Sequence, residues 1–184
     1  MVKRRASTRG RSRLSAPDAF VAIDFETANH DPSSACAIAA VRVEANRIVR
    51  KEVHLIRPPS RDFFFTDIHG ISWDDVRHEK SFAQVWRGMR TILDGAGYLA
   101  AHNASFDQRV LTACCRKARL GVPGIPFVCT VRIARAVWDI RPTKLPDVCG
   151  RLRIRLKHHD PASDAEACAR IVLKARHAGW CHDP

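Results

Sequence analysis

The chain has 184 residues, of which 31 are lysine or arginine and 19 are aspartate or glutamate, so its formal net charge is +12. This balance indicates a polyanionic partner. Because 46% of the residues are hydrophobic, the chain can bury the core of one domain, which excludes wholesale disorder. No apolar run is long enough to cross a bilayer and no secretory signal is present, so we expect a cytoplasmic protein that does not bind membranes.

Half of the excess charge lies near the N-terminus. Residues 1–16 contain six basic residues and no acid, with almost no apolar periodicity. This composition predicts a disordered basic arm that binds phosphates without sequence preference, followed by one folded domain over residues 17–184. A transit peptide, or a solvated tail with no specific role, would have the same composition.

Three strands are predicted at the start of the folded domain. The run FVAIDFE from Phe20 is apolar and β-favouring, and two further segments of this kind cover residues 35–43 and 48–56. The four residues 44–47 between the last two segments form a short turn. The pattern therefore predicts an antiparallel meander.

A loop and then alternating strands and helices are predicted for the remaining residues. Residues 57–72 contain two prolines, a glycine and three consecutive phenylalanines without period, which indicates a loop. A helix begins at Ser81, since Ser81 and Gln84 have capping-box spacing. The elements that follow are a strand at 98–101, a helix from about 106 to before 121, a strand at 127–129, and helices at 131–138, up to about 152, and from 160 to about 178. The predicted fold class is α/β, a mixed sheet of three antiparallel strands and later βα units, flanked by helices.

Residues 150–157 alternate basic with apolar side chains, a pattern that is typical of an edge strand. Four apolar residues instead have the spacing of one helix face: Leu145, Val148, Cys149 and Leu152. We therefore predict a helix that ends near Leu152 and a short loop after it.

Two acids lie close together on the first predicted strand. Asp24 and Glu26 are two residues apart, so both side chains project from the same face. Two carboxylates this close on an apolar strand repel each other unless a positive charge lies between them, and a divalent cation would supply it. The alternative is an exposed strand end with two solvated acids.

Two later segments each place an acid in the first turn of a helix. Asp107 follows a short strand in the segment AHNASFD, in which Asn103 could be only the helix N-cap. Asp164 lies five residues after His159, which belongs to the loop before the last helix. His158 and His159 could be metal ligands or plain surface histidines. Together the four acids favour a hard cation such as Mg²⁺ or Mn²⁺, and a histidine beside them suits a general base.

In this order and context the residues resemble the motifs of the DEDDh family of 3′-to-5′ exonucleases, a ribonuclease-H-like group. The matching segments are AIDFET at 22–27, HGIS at 69–72, AHNASFD at 101–107 and HHDPASDA at 158–165. The resemblance covers residues 20 to about 175. The chain departs from the family at Pro161 and Ala162, where members often have alanine and leucine, and both substitutions fit the start of a helix.

The resemblance implies which residues would carry the chemistry. Asp24, Glu26, Asp107 and Asp164 would be the ligands of two divalent metal ions, and His159 would take a proton from the attacking water. The 3′-terminal nucleotide would be received by a second set: Phe25, Thr27, Ala28, His69, Gly70, Asn103 and Phe106. Aromatic stacking makes residues 63–65 candidates for a wall against the terminal base, although we expect at least two of these phenylalanines to fill the core.

The implied function is a metal-dependent exonuclease that acts on single-stranded 3′ ends, DNA being favoured over RNA, and releases nucleoside 5′-monophosphates. The alternatives are a catalytically silent nucleic-acid-binding module and a polymerase-associated proofreading subunit. Such subunits usually have a further C-terminal segment, and only about six residues follow the last predicted helix. A free-standing nuclease is therefore expected, and no motif predicts its oligomeric state.

Overall fold

Five strands form one mixed sheet in the order β3-β2-β1-β4-β5. The structure is a computed structural model that describes residues 19–182, so the predicted arm at 1–16 lies outside the described residues. The strands are β1 (Phe20–Thr27), β2 (Ala35–Glu44), β3 (Arg47–Leu55), β4 (Leu99–Ala101) and β5 (Phe127–Cys129). The first three strands are antiparallel, and β4 and β5 run parallel to β1. The predicted antiparallel meander and the mixed sheet with later βα units are confirmed.

A two-residue turn closes the hairpin between β2 and β3. Ala45 and Asn46 both have positive φ, 45° and 59°. Two-residue hairpin loops of this handedness match the twist of the flanking strands, and asparagine adopts them at little cost. The predicted turn over 44–47 therefore has a simple backbone explanation.

Seven helices and one 3-10 segment complete the described part of the chain. Their bounds are α1 (Thr66–His69), α2 (Trp73–Val76), α3 (Phe82–Met89), the 3-10 segment (Arg90–Leu93), α4 (Ser105–Lys117), α5 (Thr130–Trp138), α6 (Leu145–Leu152) and α7 (Pro161–His177). None of these helices is long and apolar enough to serve as a membrane span.

The segment 57–72 corrects the sequence prediction, because it is not entirely a loop. Residues 66–69 form the one-turn helix α1, and α2 begins at Trp73. A four-residue helix is too short to show an apolar period, so the sequence pattern could not reveal it. Gly70 ends α1 with φ 76°, a conformation that is costly for residues with a side chain, and its N–H donates to the Thr66 carbonyl at 2.7 Å.

Strand β1 is the centre of the molecule because both of its faces pack against helices. Val21, Ile23 and Phe25 face α3 and α4, whereas Phe20 and Ala22 face α5, α6 and α7. The alternation continues at Asp24 and Glu26, which share the second face. Since β1 and β4 are parallel, their carboxyl ends meet at one edge of the sheet, the place where open α/β sheets bind ligands.

Candidate active site

A backbone hydrogen bond holds the first helix acid against β1. The N–H of Phe25 donates to Asp107 Oδ1 at 3.1 Å, and Asp107 is only 2% exposed. Phe25 lies between Asp24 and Glu26 in sequence, so this contact brings the first turn of α4 to the two strand carboxylates. Asp24 and Glu26 are themselves half-buried. Three of the four predicted acids, Asp24, Glu26 and Asp107, therefore lie together in the structure.

The start of α7 supplies the fourth acid. Asp160 caps the helix by accepting from the Ser163 N–H at 3.1 Å, and Pro161 occupies the first helical position. Asp164 is 4% exposed, and its Oδ2 accepts from the His159 N–H at 3.1 Å. The departure from the family pattern at Pro161 and Ala162 therefore leaves a regular helix start that orients both Asp164 and the preceding loop.

Burial destabilises the charged forms of all four carboxylates, and like-charge repulsion adds to this for Asp24, Glu26 and Asp107. Burial, followed by repulsion from Asp107, raises the pKa of Asp24 well above its usual range. Burial and the charge of Asp164 raise the pKa of Glu26 to about 7. Burial also raises the pKa of Asp107 and Asp164, although hydrogen bonds to both carboxylates oppose the change. Each raised pKa means that the charged form of that carboxylate is destabilised.

The donor set fits a divalent cation. All four side chains offer oxygen, which hard cations prefer, and a bound ion would reverse the raised pKa values. One oxygen of the set, Asp164 Oδ1, is buried and has no hydrogen-bond partner among the described residues. A buried polar atom of this kind is costly unless a ligand contacts it. The site is therefore suited to metal ions held by Asp24, Glu26, Asp107 and Asp164.

His158 and His159 lie side by side at the rim of the cluster. Their rings stack with centroids 3.8 Å apart, and His159 has φ 64°. His158 Nδ1 lies 3.2 Å from Asp164 Oδ2, and one nitrogen of each ring lies within 4.8 Å of that carboxylate. Burial, and then the neighbouring His158, lower the pKa of His159, which favours the neutral ring that can accept a proton.

His69 links the α1 segment to the end of β1. Its Nδ1 accepts from the Ile71 N–H at 3.1 Å, so its Nε2 carries the proton and donates to the Thr27 carbonyl at 3.2 Å. Burial lowers the pKa of His69 and favours this neutral tautomer. The Thr27 side chain is buried beside it. His69, Gly70 and Thr27 therefore form one connected wall at the end of β1.

Ala28 has its backbone groups engaged within the protein. Its N–H donates to the Ser34 carbonyl at 2.9 Å, and its carbonyl accepts from the Phe64 N–H at 2.7 Å. The second contact also holds residues 63–65 near the site. Phe64 is 65% exposed, whereas Phe63 packs on a small apolar cluster and Phe65 meets His30 edge-to-face at 4.8 Å. None of the three phenylalanines is fully buried and only Phe63 packs on an apolar cluster, so the expectation that at least two of them fill the core is wrong.

Asn103 and Phe106 flank the site on the side of α4. Asn103 is exposed and has φ 63°, and its side-chain oxygen accepts from the Ser105 hydroxyl at 3.3 Å. The cap position of α4 belongs to Ala104, so the alternative that Asn103 is only the N-cap is wrong. Phe106 is half-buried, with the Arg109 guanidinium 5.9 Å from its ring centroid.

Several residues line the site that the sequence did not single out. A depression of about 560 Å³ includes Asp24, Glu26 and Asp164 together with His102, Arg135, Thr143 and Lys144. His102 Nε2 lies 2.8 Å from the Thr143 carbonyl, and Arg135 donates to the Thr143 hydroxyl at 2.8 Å. His102 is next to Asn103 in the segment AHNASFD, so the sequence could have indicated that it lies at the site. The others are brought here by the packing of α5 and α6, which no local pattern reveals.

The sequence of this chain is similar to those of known exonuclease proteins. The exonuclease family model RNase_T matches residues 21–172. DNA polymerase III PolC-type of Thermotoga maritima is 29% identical over 164 residues, which cover 84% of this chain and 12% of that protein. The 3′-5′ exonuclease DinG of Bacillus subtilis is 32% identical over 161 residues, which cover 84% of this chain and 17% of that protein. The chain thus spans less than a fifth of either relative.

The fold is also similar to those of solved structures, and one example is matched over nearly the whole length of both chains. It is the nuclease domain of 3′hExo, a DEDDh family member bound to rAMP. The TM-score is 0.77 at 20% identity, and the alignment covers 90% of this chain and 94% of that chain. This likeness confirms the predicted ribonuclease-H-like α/β fold class.

Proposed function

The chain belongs to the RNase T family of exonucleases, and from this membership and the geometry of the site we propose that it is a DEDDh-type enzyme that removes nucleotides from single-stranded 3′ ends. The proposed products are nucleoside 5′-monophosphates and a strand shortened by one residue. The observation that carries the proposal is the assembly of four buried or half-buried carboxylates. Asp24, Glu26 and Asp164 line one histidine-flanked depression, and Asp107 is held next to them by the Phe25 N–H.

The proposed cofactors are two Mg²⁺ or Mn²⁺ ions held by Asp24, Glu26, Asp107 and Asp164. When bound, such ions neutralise the scissile phosphate and the leaving 3′ oxygen and favour deprotonation of the attacking water. Four ionised carboxylates carry more negative charge than one divalent ion balances, which supports two ions rather than one. The hydrogen bonds from Phe25 and His159 hold Asp107 and Asp164 in place before any ion binds.

The proposed general base is His159. Its backbone N–H donates to Asp164, and this hydrogen bond keeps the ring next to the carboxylates. Because the pKa of His159 is lowered, its ring is neutral at neutral pH. The neutral ring accepts a proton from the attacking water as the water oxygen bonds to the scissile phosphorus and the phosphorus–oxygen bond to the 3′ oxygen breaks. The 3′ oxygen takes a proton from solvent water and becomes the terminal hydroxyl of the shortened strand.

The proposed site for the 3′-terminal nucleotide lies between β1 and the α1 segment. Phe25, Thr27 and Ala28 supply the strand edge, and His69 and Gly70 supply the facing wall. Phe106 in the first turn of α4 and Asn103 just before that helix close the site on the third side. The exposed ring of Phe64 is the available stacking surface for a base. A wall at this place would admit one nucleotide and stop the strand from threading through.

Single-stranded DNA is the favoured substrate in this proposal, because a relative is a DNA polymerase. The same likeness supports a second candidate, a proofreading role in association with a polymerase. Proofreading predicts that a mispaired 3′ terminus on a primer is removed faster in the presence of a replicative polymerase than in its absence. Equal rates with and without the polymerase would remove this candidate.

The proposed reaction is tested with oligonucleotides labelled at the 5′ end. With Mg²⁺ or Mn²⁺ the labelled strand should shorten one nucleotide at a time, whereas EDTA should stop the reaction. A blocked 3′ terminus should protect the strand. Matched DNA and RNA strands show which polymer is preferred. Release of the labelled 5′ nucleotide first, or internal cleavage of a circular strand, would contradict the proposal.

His159→Gln should lower the turnover number by a factor of about 10² to 10⁴, the usual contribution of a general base. The metal-induced increase in melting temperature should remain, because the four carboxylates are unchanged. His78→Gln is the matched control, since His78 is an exposed histidine outside the site. Full activity of His159→Gln, or loss of activity in both variants, would exclude His159 as the base.

A further inference from the structure

The depression that contains the carboxylates continues toward α5 and α6. On its other sides the proposed site for the terminal nucleotide is enclosed by the end of β1, by α1 and by the start of α4. The residues that continue the depression come from α5, from the loop before α6 and from the start of α6: Val131, Arg135, Thr143, Lys144 and Leu145. A strand whose 3′ end lies against the α1 wall can therefore reach the carboxylates over this side.

Two cations lie on this side of the depression. Arg135 and Lys144 are both exposed. Over residues 19–182 no ion pair includes either of them. The acids that share the depression, Asp24, Glu26 and Asp164, are the proposed metal ligands and would be balanced by bound ions. The positive charge of Arg135 and Lys144 is therefore available to another anion.

Thr143 places both cations. A terminal nitrogen of the Arg135 guanidinium donates to the Thr143 hydroxyl at 2.8 Å. A guanidinium has five N–H donors, so further donors remain for phosphate oxygens. Lys144 follows Thr143 directly and is the N-cap residue of α6. The position of this one loop residue therefore determines where Arg135 and Lys144 lie.

His102 in turn fixes Thr143. It follows the end of β4, and its Nε2 donates to the Thr143 carbonyl at 2.8 Å. Its Nδ1 lies 2.8 Å from the hydroxyl of Thr130, the fully buried first residue of α5. One imidazole therefore connects the end of β4, the start of α5 and the loop before α6. Because both ring nitrogens are engaged within the protein, His102 is suited to position the two cations rather than to contact a phosphate.

We propose that Arg135 and Lys144 bind the phosphodiester linkages on the 5′ side of the scissile bond, and that His102 positions both cations through Thr143. The inference rests on the proposed function, because removal of a terminal nucleotide places that nucleotide on the α1 side of the carboxylates and the rest of the strand on the other side. The phosphates next to the scissile one then meet Arg135 and Lys144. Such contacts position a strand without reading its sequence.

The test couples the two cations to particular phosphates. Linkages are numbered from the 3′ end, so linkage 1 is the scissile one. Three single strands of 20 nucleotides are compared, as DNA and as 2′-O-methyl RNA: an unmodified strand, a strand with neutral methylphosphonates at linkages 2 and 3, and a control strand with methylphosphonates at linkages 14 and 15. All proteins are full chains that carry His159→Gln, and Ca²⁺ replaces Mg²⁺, so that the carboxylates can hold an ion while the strand is not cut. Affinity is measured by fluorescence anisotropy.

The double variant is Arg135→Gln with Lys144→Gln. The control variant, Arg132→Gln with Arg151→Gln, removes the same charge from exposed residues of the same two elements, α5 and α6, that do not line the depression. With both cations present, neutral linkages 2 and 3 should weaken binding by about 10-fold or more. The double variant should bind the unmodified strand more weakly by a similar factor, with a slope of log K against log salt that is less steep by about 1.4. It should lose no further affinity when linkages 2 and 3 are neutral.

The control variant should behave as the protein with both cations does, and the control strand as the unmodified strand does. Equal losses from neutral linkages 2 and 3 with and without the two cations would overturn the proposal, as would equal losses in the double and control variants. Coupling confined to one polymer would support the proposal and identify that polymer. Because no hydrolysis is measured, coupling in a chain whose wild type has no exonuclease activity would contradict only the proposed function.

A second pair of variants tests the positioning role of His102. His102→Ala removes the hydrogen bond to the Thr143 carbonyl, so binding should become less sensitive to neutral linkages 2 and 3. His102→Gln keeps an N–H donor for that carbonyl and should restore the sensitivity. Undiminished sensitivity in His102→Ala would exclude the positioning role, and so would an equal loss in His102→Ala and His102→Gln.

Discussion

Asp24→Asn should lower exonuclease turnover by about 10³-fold while leaving the fold intact. A metal-ion site supplies several kcal/mol of charge stabilisation in the transition state, and each 1.36 kcal/mol corresponds to a factor of ten in rate. Asp24 has the most crowded environment of the four acids, since Asp107, Glu26 and Asp164 all raise its pKa in addition to burial. Its removal should therefore weaken metal binding and relieve repulsion at the same time.

Two measurements distinguish this effect from simple unfolding. In EDTA the melting temperature of Asp24→Asn should be equal to or higher than that of the wild type, because the asparagine has no charge to bury. On addition of Mn²⁺ the wild type should be stabilised and the variant should not. Asp94→Asn is the matched control, an exposed aspartate outside the site, and should behave as the wild type does. A variant that is inactive but still stabilised by Mn²⁺ would contradict the assignment of Asp24 as a ligand.

Glu26→Gln should stabilise the metal-free protein at pH 8, and this gain should shrink as the pH falls. The pKa of Glu26 is raised to about 7 in the folded protein, mainly by burial, from an ordinary value near 4.5. Between these two values the folded state holds more protons than the unfolded state, so the free energy of unfolding decreases as the pH rises. The difference between variant and wild type should fall by about 2 kcal/mol from pH 8 to pH 5.5.

The comparison of Glu26→Gln with the wild type removes the opposite pH dependence that the histidines contribute to stability. Burial lowers the pKa of His69, His102 and His159, and these shifts destabilise the folded protein as the pH falls below about 6.5. They are present in both proteins and cancel in the difference. Urea unfolding in EDTA gives the free energies, with Glu79→Gln as an exposed control. A gain for Glu26→Gln that does not depend on pH would show that Glu26 is ionised in the folded protein throughout this range.

The sequence predicted the central part of the fold because local signals agree with the tertiary structure there. The β1 segment is an apolar run, α3 has a capping box, and α7 begins with an N-cap aspartate followed by proline, and all three elements occur where the patterns place them. The acids at 24 and 26 share a face because of strand geometry alone. The placement of Asp107 and Asp164 beside them came instead from the resemblance to a known family.

Features that depend on long-range packing were not predictable from local patterns. The hydrogen bond from Phe25 to Asp107 joins residues 82 positions apart, and Arg135 and Lys144 reach the site only because α5 and α6 pack against the sheet. The helices α1 and α2 have four residues each, which is too few for a period. The alternation of basic and apolar residues after Leu152 was visible in the sequence. Only the structure shows that Ile154 packs in the core while Arg153 and Arg155 are exposed.

The origin of the oxygen in the product tests the proposed chemistry most directly. Hydrolysis of a single-stranded oligonucleotide in water enriched in ¹⁸O, with Mg²⁺ or Mn²⁺ present, can be followed by mass spectrometry of the released nucleotide and of the shortened strand. Attack of water on the scissile phosphorus with departure of the 3′ oxygen predicts one ¹⁸O atom in the 5′-phosphate of the released nucleotide and an unlabelled 3′-hydroxyl on the strand. A 3′-phosphate on the shortened strand, or a released nucleotide without ¹⁸O, would contradict the proposed reaction.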